Sequence, residues 1–177
     1  NVLSNSGDDG ISIQSPINLY NNTIYKVSDT GITLFAGGAG SVIKNNIVYG
    51  WGTATDDAIE GYRPIVKYVL ATIDNNCWYS AEVAAVQNWF DNPTNNTFAQ
   101  WQAAGYDANG LNADPLFVNA TGGNFYLQAG SPCRDAGVDV GLIQDYEGEL
   151  IPRGTGFDIG AFEYIGSSVS IRRRRRR

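Results

Sequence analysis

The chain has 177 residues, 43% apolar, 12% aromatic and 17% charged, which supplies a packed core and excludes global disorder. It contains no histidine, so a Ser-His-Asp triad, a histidine-ligated zinc site and histidine acid–base chemistry are excluded within it. No stretch approaches the ~18 apolar residues of a transmembrane helix, and the net charge of −6 hides a split: Arg172–Arg177 hold six of the twelve basic residues, leaving six against eighteen acids, a body at −12 that repels nucleic acid and anionic membranes.

Gly 21 and abundant Asn point to short strands and tight turns. The chain opens on NVLSNSGDDGISI, and the pattern returns at Asn22 as NTIYKVSDTGITL. Asn1 aligns with Asn22, Leu3 with Ile24, Asp8 with Asp29, Gly10 with Gly31, Ile11 with Ile32 and Ile13 with Leu34. Further copies begin at Asn46 (NNIVYG) and Asn76 (NNCWYS), after intervals of 21, 24 and 30 residues. Apolar-alternating runs, SPINLYNN, GSVIKNN and LATIDNN, precede the Asn pairs. Such a period, with about three short strands in each copy, predicts a parallel β-solenoid with apolar residues inward and polar residues outward. The Asn pairs fall where the chain turns between strands, because Asn tolerates left-handed backbone angles, and stacked Asn predict a hydrogen-bonded ladder. Gly10 and Gly31 mark a second turn.

Between Val48 and Ile65 the repeat carries an insertion, YGWGTATDDAIEGYRP. Beyond Tyr79 the pattern changes. TFAQWQAAG predicts a short helix capped by Asn96 or Thr97 and ended by Gly105. PLFV, NFYLQ and DIGAFEY are predicted strands. The division is residues 1–79 as solenoid coils, 80–166 as the last coils with a loop-rich C-terminal cap, and 167–177 as a disordered tail or tag with the Arg run. Without an initial Met or a signal peptide, the chain reads as mature or truncated, with a coil expected ahead of Asn1. Val2 and Leu3 would otherwise form an open edge, and self-association through it is expected. Cys77 and Cys133 read as two buried free thiols, with a single disulfide as the alternative. The sequons at Asn21, Asn95 and Asn119 are expected by chance in so Asn-rich a chain.

The segments WQAAGYDANGLNADPLFVNATGGNFYLQAGSPCRDAG and DYEGELIPRGTGFDIGAFEY resemble the C-terminal end of bacterial secreted right-handed parallel β-helix proteins, the pectin-lyase-like group. The resemblance implies an all-β, right-handed parallel β-helix, an extracellular or cell-surface setting and a polysaccharide partner. Lyases, hydrolases and non-catalytic surface proteins share that architecture. GDDGISI is similar to the paired-aspartate segment of polygalacturonase-type glycoside hydrolases, which implies acid or base roles for Asp8 and Asp9. The next coil of that family brings a histidine between glycines, where this chain has Thr30 in DTGITL.

Asp8 and Asp29 hold equivalent positions in consecutive coils, about 4.8 Å apart at strand spacing, with Asp9 adjacent. Carboxylates so placed raise one pKa or capture a cation such as Ca²⁺, and retaining glycosidases set theirs about 5–5.5 Å apart. The structural alternative is turn chemistry, since Asp before Gly is a common turn pair. The insertion adds Asp56, Asp57 and Glu60 as a candidate metal group, with Trp51 and Tyr62 as candidate sugar-stacking rings. Arg63, or a lysine such as Lys44 or Lys67, could serve as a lyase base if Ca²⁺ neutralised a uronate carboxylate, and Arg63 with Lys67 loosely resembles a basic substrate-binding pair. The alternative for the insertion is a solvated loop. Trp78, Trp89, Trp101 and Phe98 read as packing, and Asp135, Asp145, Arg153, Asp158 and Glu163 as bonds holding the cap. Three functions follow: polysaccharide processing by a lyase or hydrolase, a non-catalytic glycan-binding or spacer module, and nucleic-acid binding through the arginine tail alone.

Overall fold

The structure, a computed structural model, describes residues 1–51, 65–67, 70–80 and 97–166. The chain is mostly β. Three strands make up each circuit. The first circuit holds β1 (Val2–Ser6), β2 (Ile11–Ile13) and β3 (Asn18–Tyr20). The second holds β4 (Thr23–Val27), β5 (Ile32–Leu34) and β6 (Val42–Lys44). The third holds β7 (Ile47–Tyr49), β8 (Ile65–Lys67) and β9 (Thr72–Asp74), and β10 (Cys77–Tyr79) opens the next. Corresponding strands pair in parallel to give sheets of order β1-β4-β7-β10, β2-β5-β8 and β3-β6-β9. The repeat alignment is the strand register: Leu3 pairs with Ile24, Ile11 with Ile32 and Ile13 with Leu34.

Side-chain alternation sends one face of each strand inward. Ile24, Val48 and Trp78 stack there, as do Ile13 and Leu34, and Leu19, Ile43 and Ile73, all buried in one cluster. Burying a side chain of this size stabilises by roughly 1.5–3 kcal/mol.

The outward face of the first sheet departs from the expected polar surface. Tyr25, Ile47 and Cys77 point outward yet are buried, because the C-terminal third folds back over them. After the helix α1 (Phe98–Ala103), the strands β11 (Phe117–Asn119) and β12 (Asn124–Leu127) form an antiparallel pair. Phe117, Phe125 and Leu127 from this hairpin join Cys133, Ile159, Ala161 and Phe162 in a second core against the first sheet. Tyr25, Tyr49 and Tyr79 stack along it with ring centroids 5.2 and 5.4 Å apart. The predicted cap is therefore two things. Helix α1 and Leu111, which bridges in parallel to Cys77, close the end, while residues beyond them run back along the side. Thr97 caps α1 through a capping box with Gln100, and Gly105, at φ +92°, follows its end as expected. PLFV and NFYLQ contain strands, whereas DIGAFEY runs as irregular backbone bonded to side chains of the Asn corner.

That corner holds two ladders. Asn21, Asn45 and Asn75 take left-handed angles, with φ of +49°, +57° and +55°. Their side chains face the returning segment: Asn21 Nδ2 donates to the Gly160 carbonyl at 3.2 Å, Asn45 Nδ2 to Val138 at 2.7 Å and Asn75 Nδ2 to Ala136 at 3.3 Å. Their successors point inward. Asn1 Nδ2 donates to Asn22 Oδ1 at 3.1 Å, Asn22 Nδ2 to Asn46 Oδ1 at 2.8 Å, and Asn46 Nδ2 to Asn76 Oδ1 at 2.9 Å. The ladder expected from the Asn pairs is thus present, and Asp107 ends it by accepting from Asn76 Nδ2 at 2.9 Å. Cys77 and Cys133 are free and buried, and the contact with Cys133, together with burial, pushes the Cys77 thiol up. Among the described residues no helix is long and apolar enough to cross a membrane.

Candidate functional site

The turn between the first and second sheets carries the acids. Gly10 permits it, because a side chain there would meet the Gly31 carbonyl oxygen 2.3 Å away, so successive turns lie close. Asp8 and Asp9 from one circuit and Asp29 from the next bring carboxylate oxygens within 4.8 Å of one another. Asp8 and Asp29 are exposed and Asp9 half-buried. Asp9 is held in place: Oδ1 accepts from the Thr30 backbone N–H at 3.3 Å and Oδ2 from Ser12 Oγ at 3.1 Å. Thr30, standing where the resembled hydrolases have histidine, is buried, and its hydroxyl donates to Asp29 Oδ1 at 3.5 Å. The donor set is all carboxylate, hard oxygen ligands of the kind that suit Ca²⁺.

The other predicted site residues divide. Trp51 is corrected: Gly50, at φ +71°, turns the chain so that the indole packs in the inner core at 0% exposure and offers no face to a sugar. Lys67 ends β8 with its backbone opposite Leu34. Asp56, Asp57, Glu60, Tyr62 and Arg63 lie outside the described residues, as do Trp89, Asn95 and the Arg run. Trp78 and Trp101 pack in the interior as expected. Beside the tyrosine stack, a cavity of ≈ 440 Å³ is lined by residues that include Tyr49, Lys26, Asn119 and Gln128, and Lys26 precedes Asp29 by three positions. The sequence reading did not mark this cavity, because its walls come from β4, β7 and the returning hairpin, segments far apart in the chain.

The buried carboxylates lie elsewhere. Asp158 accepts from the backbone N–H groups of Asp135 and Tyr164 at 2.7 and 2.6 Å, and Glu163 from those of Asp158 and Arg153 at 2.9 and 3.0 Å. They hold the returning segment, as expected of the tail acids. Asp107 was not singled out; its one sequence signal is its place 31 residues after Asn76, continuing the Asn series. Desolvation raises Asp107 to about 6, against the lowering pull of its Asn76 and indole donors, and it also raises Asp158 and Glu163.

A carboxyl raised by folding binds its proton more tightly in the native state. Its contribution is full below the unfolded value and fades as pH rises through the native one. The thermal midpoint is therefore expected to fall between pH 4.5 and pH 7.5, with Asp107 contributing on the order of 3 kcal/mol. Differential scanning calorimetry across that window checks this; a midpoint flat or rising with pH contradicts it.

No protein-family model, curated protein or solved structure matches the chain.

Proposed function

We propose that the chain is a right-handed parallel β-helix of the pectin-lyase-like kind, secreted, that processes an acidic polysaccharide at the corner holding Asp8, Asp9 and Asp29. The convergence of three carboxylates from two successive circuits carries this reading. Like-charged carboxylates so close favour a cation between them. In glycoside hydrolysis one of the three would serve as the acid and another as the base or nucleophile. For elimination the trio would hold Ca²⁺, which would supply the charge that neutralises a uronate carboxylate, while a basic side chain such as Arg63 or Lys67 would take the neighbouring C–H proton as the glycosidic oxygen leaves. The right hand follows from the rule for parallel crossovers. The Tyr49–Lys26 cavity supports a glycan partner, since it combines a ring, a cation and amides in one concavity.

The test is a polysaccharide panel with and without Ca²⁺, read for new reducing ends and for the ultraviolet absorbance of unsaturated uronates. Asp8→Asn with Asp29→Asn is expected to lower the rate by at least ~100-fold, and a rate within twofold of the parent would refute the site. A second reading, a non-catalytic glycan-binding or spacer module, is favoured by the use of Asp9 in tying its own turn, through Ser12, to the turn of the next circuit, through the Thr30 N–H, and by the burial of Trp51. It predicts silence in both channels together with retained glycan binding.

A further inference from the structure

Among the described residues, every non-glycine residue with a left-handed backbone is Asn or Asp except two, Lys26 at φ +51° and Leu116 at φ +53°. Asn and Asp take such angles readily, whereas longer side chains do so at a cost in strain. Lys26 stands at a bend that recurs from circuit to circuit. Asn5 occupies it in the first, at φ +57°, and Gly50 in the third, at φ +71°. The flanking circuits thus use residues that the bend favours, and the second uses a lysine. Both exceptions line the cavity of ≈ 440 Å³ between β4, β7 and the returning hairpin. Backbone strain of this kind collects at ligand sites. The polar groups of the cavity are held and only partly used. Asp114 Oδ1 accepts from the Leu116 N–H at 2.9 Å, Asn119 Oδ1 accepts from the Gly122 N–H at 3.0 Å, and Gln128 Nε2 donates to the Phe117 carbonyl at 2.9 Å. Each bond fixes one end of its side chain. The other ends, Asp114 Oδ2, Asn119 Nδ2 and Gln128 Oε1, have no partner among the described residues. All three residues line the cavity with Tyr49 and Lys26, whose ammonium lies 5.8 Å from the centroid of the Tyr25 ring. Lys26 and Asp29 are three positions apart, at most about 10 Å from Cα to Cα, so the cavity borders the acidic corner.

We propose that this cavity is a second, non-catalytic site that binds one uronate unit of an acidic glycan. The Lys26 ammonium would pair with the sugar carboxylate in a charge-assisted contact. Sugar hydroxyls would donate to Asp114 Oδ2 and Gln128 Oε1 and accept from Asn119 Nδ2, and Tyr49 would meet the apolar face of the sugar ring. A local cation is what an anionic ligand requires, because the body, strongly acidic without the Arg run, repels it elsewhere. Asp114 in the same cavity selects a ligand that carries hydroxyls beside its carboxylate over a bare polyanion. The inference takes its ligand class from the proposed function, but needs neither catalysis nor a metal at Asp8, Asp9 and Asp29.

The probes are the tetramers of galacturonate, guluronate and mannuronate, with the neutral galactose tetramer as control, titrated calorimetrically into the full chain in EDTA. At least one uronate tetramer is expected to bind, and the neutral one at least ~10-fold more weakly. Lys26→Asn places at this bend the residue that holds it at Asn5. It is expected to weaken binding at least ~10-fold while raising Tm by roughly 2–6 °C as the strain is released. Asp8→Asn with Asp29→Asn should not weaken binding in EDTA. Failure of all three uronates to bind, equal binding of the neutral tetramer, or a Lys26→Asn variant that binds within twofold of the parent would overturn the proposal. So would a Tm lowered by Lys26→Asn, which assigns the lysine to the fold. Binding that appears only with Ca²⁺ and is lost in the Asp8, Asp29 variant would place the glycan at the corner, overturning this site and leaving the proposed function standing. Lys26-dependent binding by a chain without turnover would do the reverse.

Discussion

Asp107→Ala is expected to cost on the order of 3–5 kcal/mol of stability and to lower the thermal midpoint by roughly 6–15 °C. Few side chains serve so many partners. Oδ1 accepts from the Asn76 N–H and Nδ2 at 3.0 and 2.9 Å, and Oδ2 from the Trp78 and Trp101 indoles at 3.0 and 3.3 Å. Truncation leaves these donors unpaired in a site without solvent exposure. It also loosens α1, since Trp101 is the helix residue that closes the inner core. Asp107→Asn separates charge from shape. It retains Oδ1 for Asn76 but turns an amide NH₂ toward two indole N–H groups, so it is expected to recover only part of the loss. Thermal unfolding of both variants at pH 7.5, followed by far-ultraviolet circular dichroism and tryptophan fluorescence, makes the comparison. A midpoint within 2–3 °C of the parent for the alanine variant would mean that the site relaxes or admits water.

The parts of the fold legible in the sequence are those where chemistry repeats with the chain. Leu3 over Ile24, Ile11 over Ile32 and Asn22 over Asn46 are all single-period relations, and a period is visible without knowing the path. The closeness of Asp8, Asp9 and Asp29 was readable for the same reason. What escaped depends on contacts between distant segments. Nothing near Tyr25 announces that Phe125 will lie 5.1 Å from its ring, or that Asn45 will meet Val138. The outward tyrosines read as ordinary strand residues, and only the returning hairpin makes them core. Trp51 misled because its neighbours in sequence are acidic and polar, whereas its burial is set by the turn at Gly50.

Asn46→Ala is expected to cost on the order of 2–4 kcal/mol, and Asn45→Ala clearly less. The residues are adjacent, but the burial of their partners differs. Asn46 Nδ2 donates to the Leu19 and Lys44 carbonyls at 2.9 and 3.0 Å as well as to Asn76, while its Oδ1 receives the Asn22 N–H and Nδ2. The alanine variant strands donors and acceptors on both sides inside the stack. Asn45 joins Asn21 and Val138 through partly buried bonds that water can replace. Asn46→Asp sharpens the contrast with Asp107. At the ladder's end every partner of the side chain donates, so a carboxylate fits; in its middle the partners on one side are carbonyls, so a carboxylate faces them with no hydrogen to give. Asn46→Asp is therefore expected to match the alanine variant at pH 7.5 and to regain stability as pH falls and the carboxyl becomes a donor. Urea unfolding of the three variants at pH 5 and pH 7.5 decides it. Equal midpoints for Asn45→Ala and Asn46→Ala would show that the inner ladder is no stronger than the outer. A pH-independent Asn46→Asp would show that its inward partners do not require a donor.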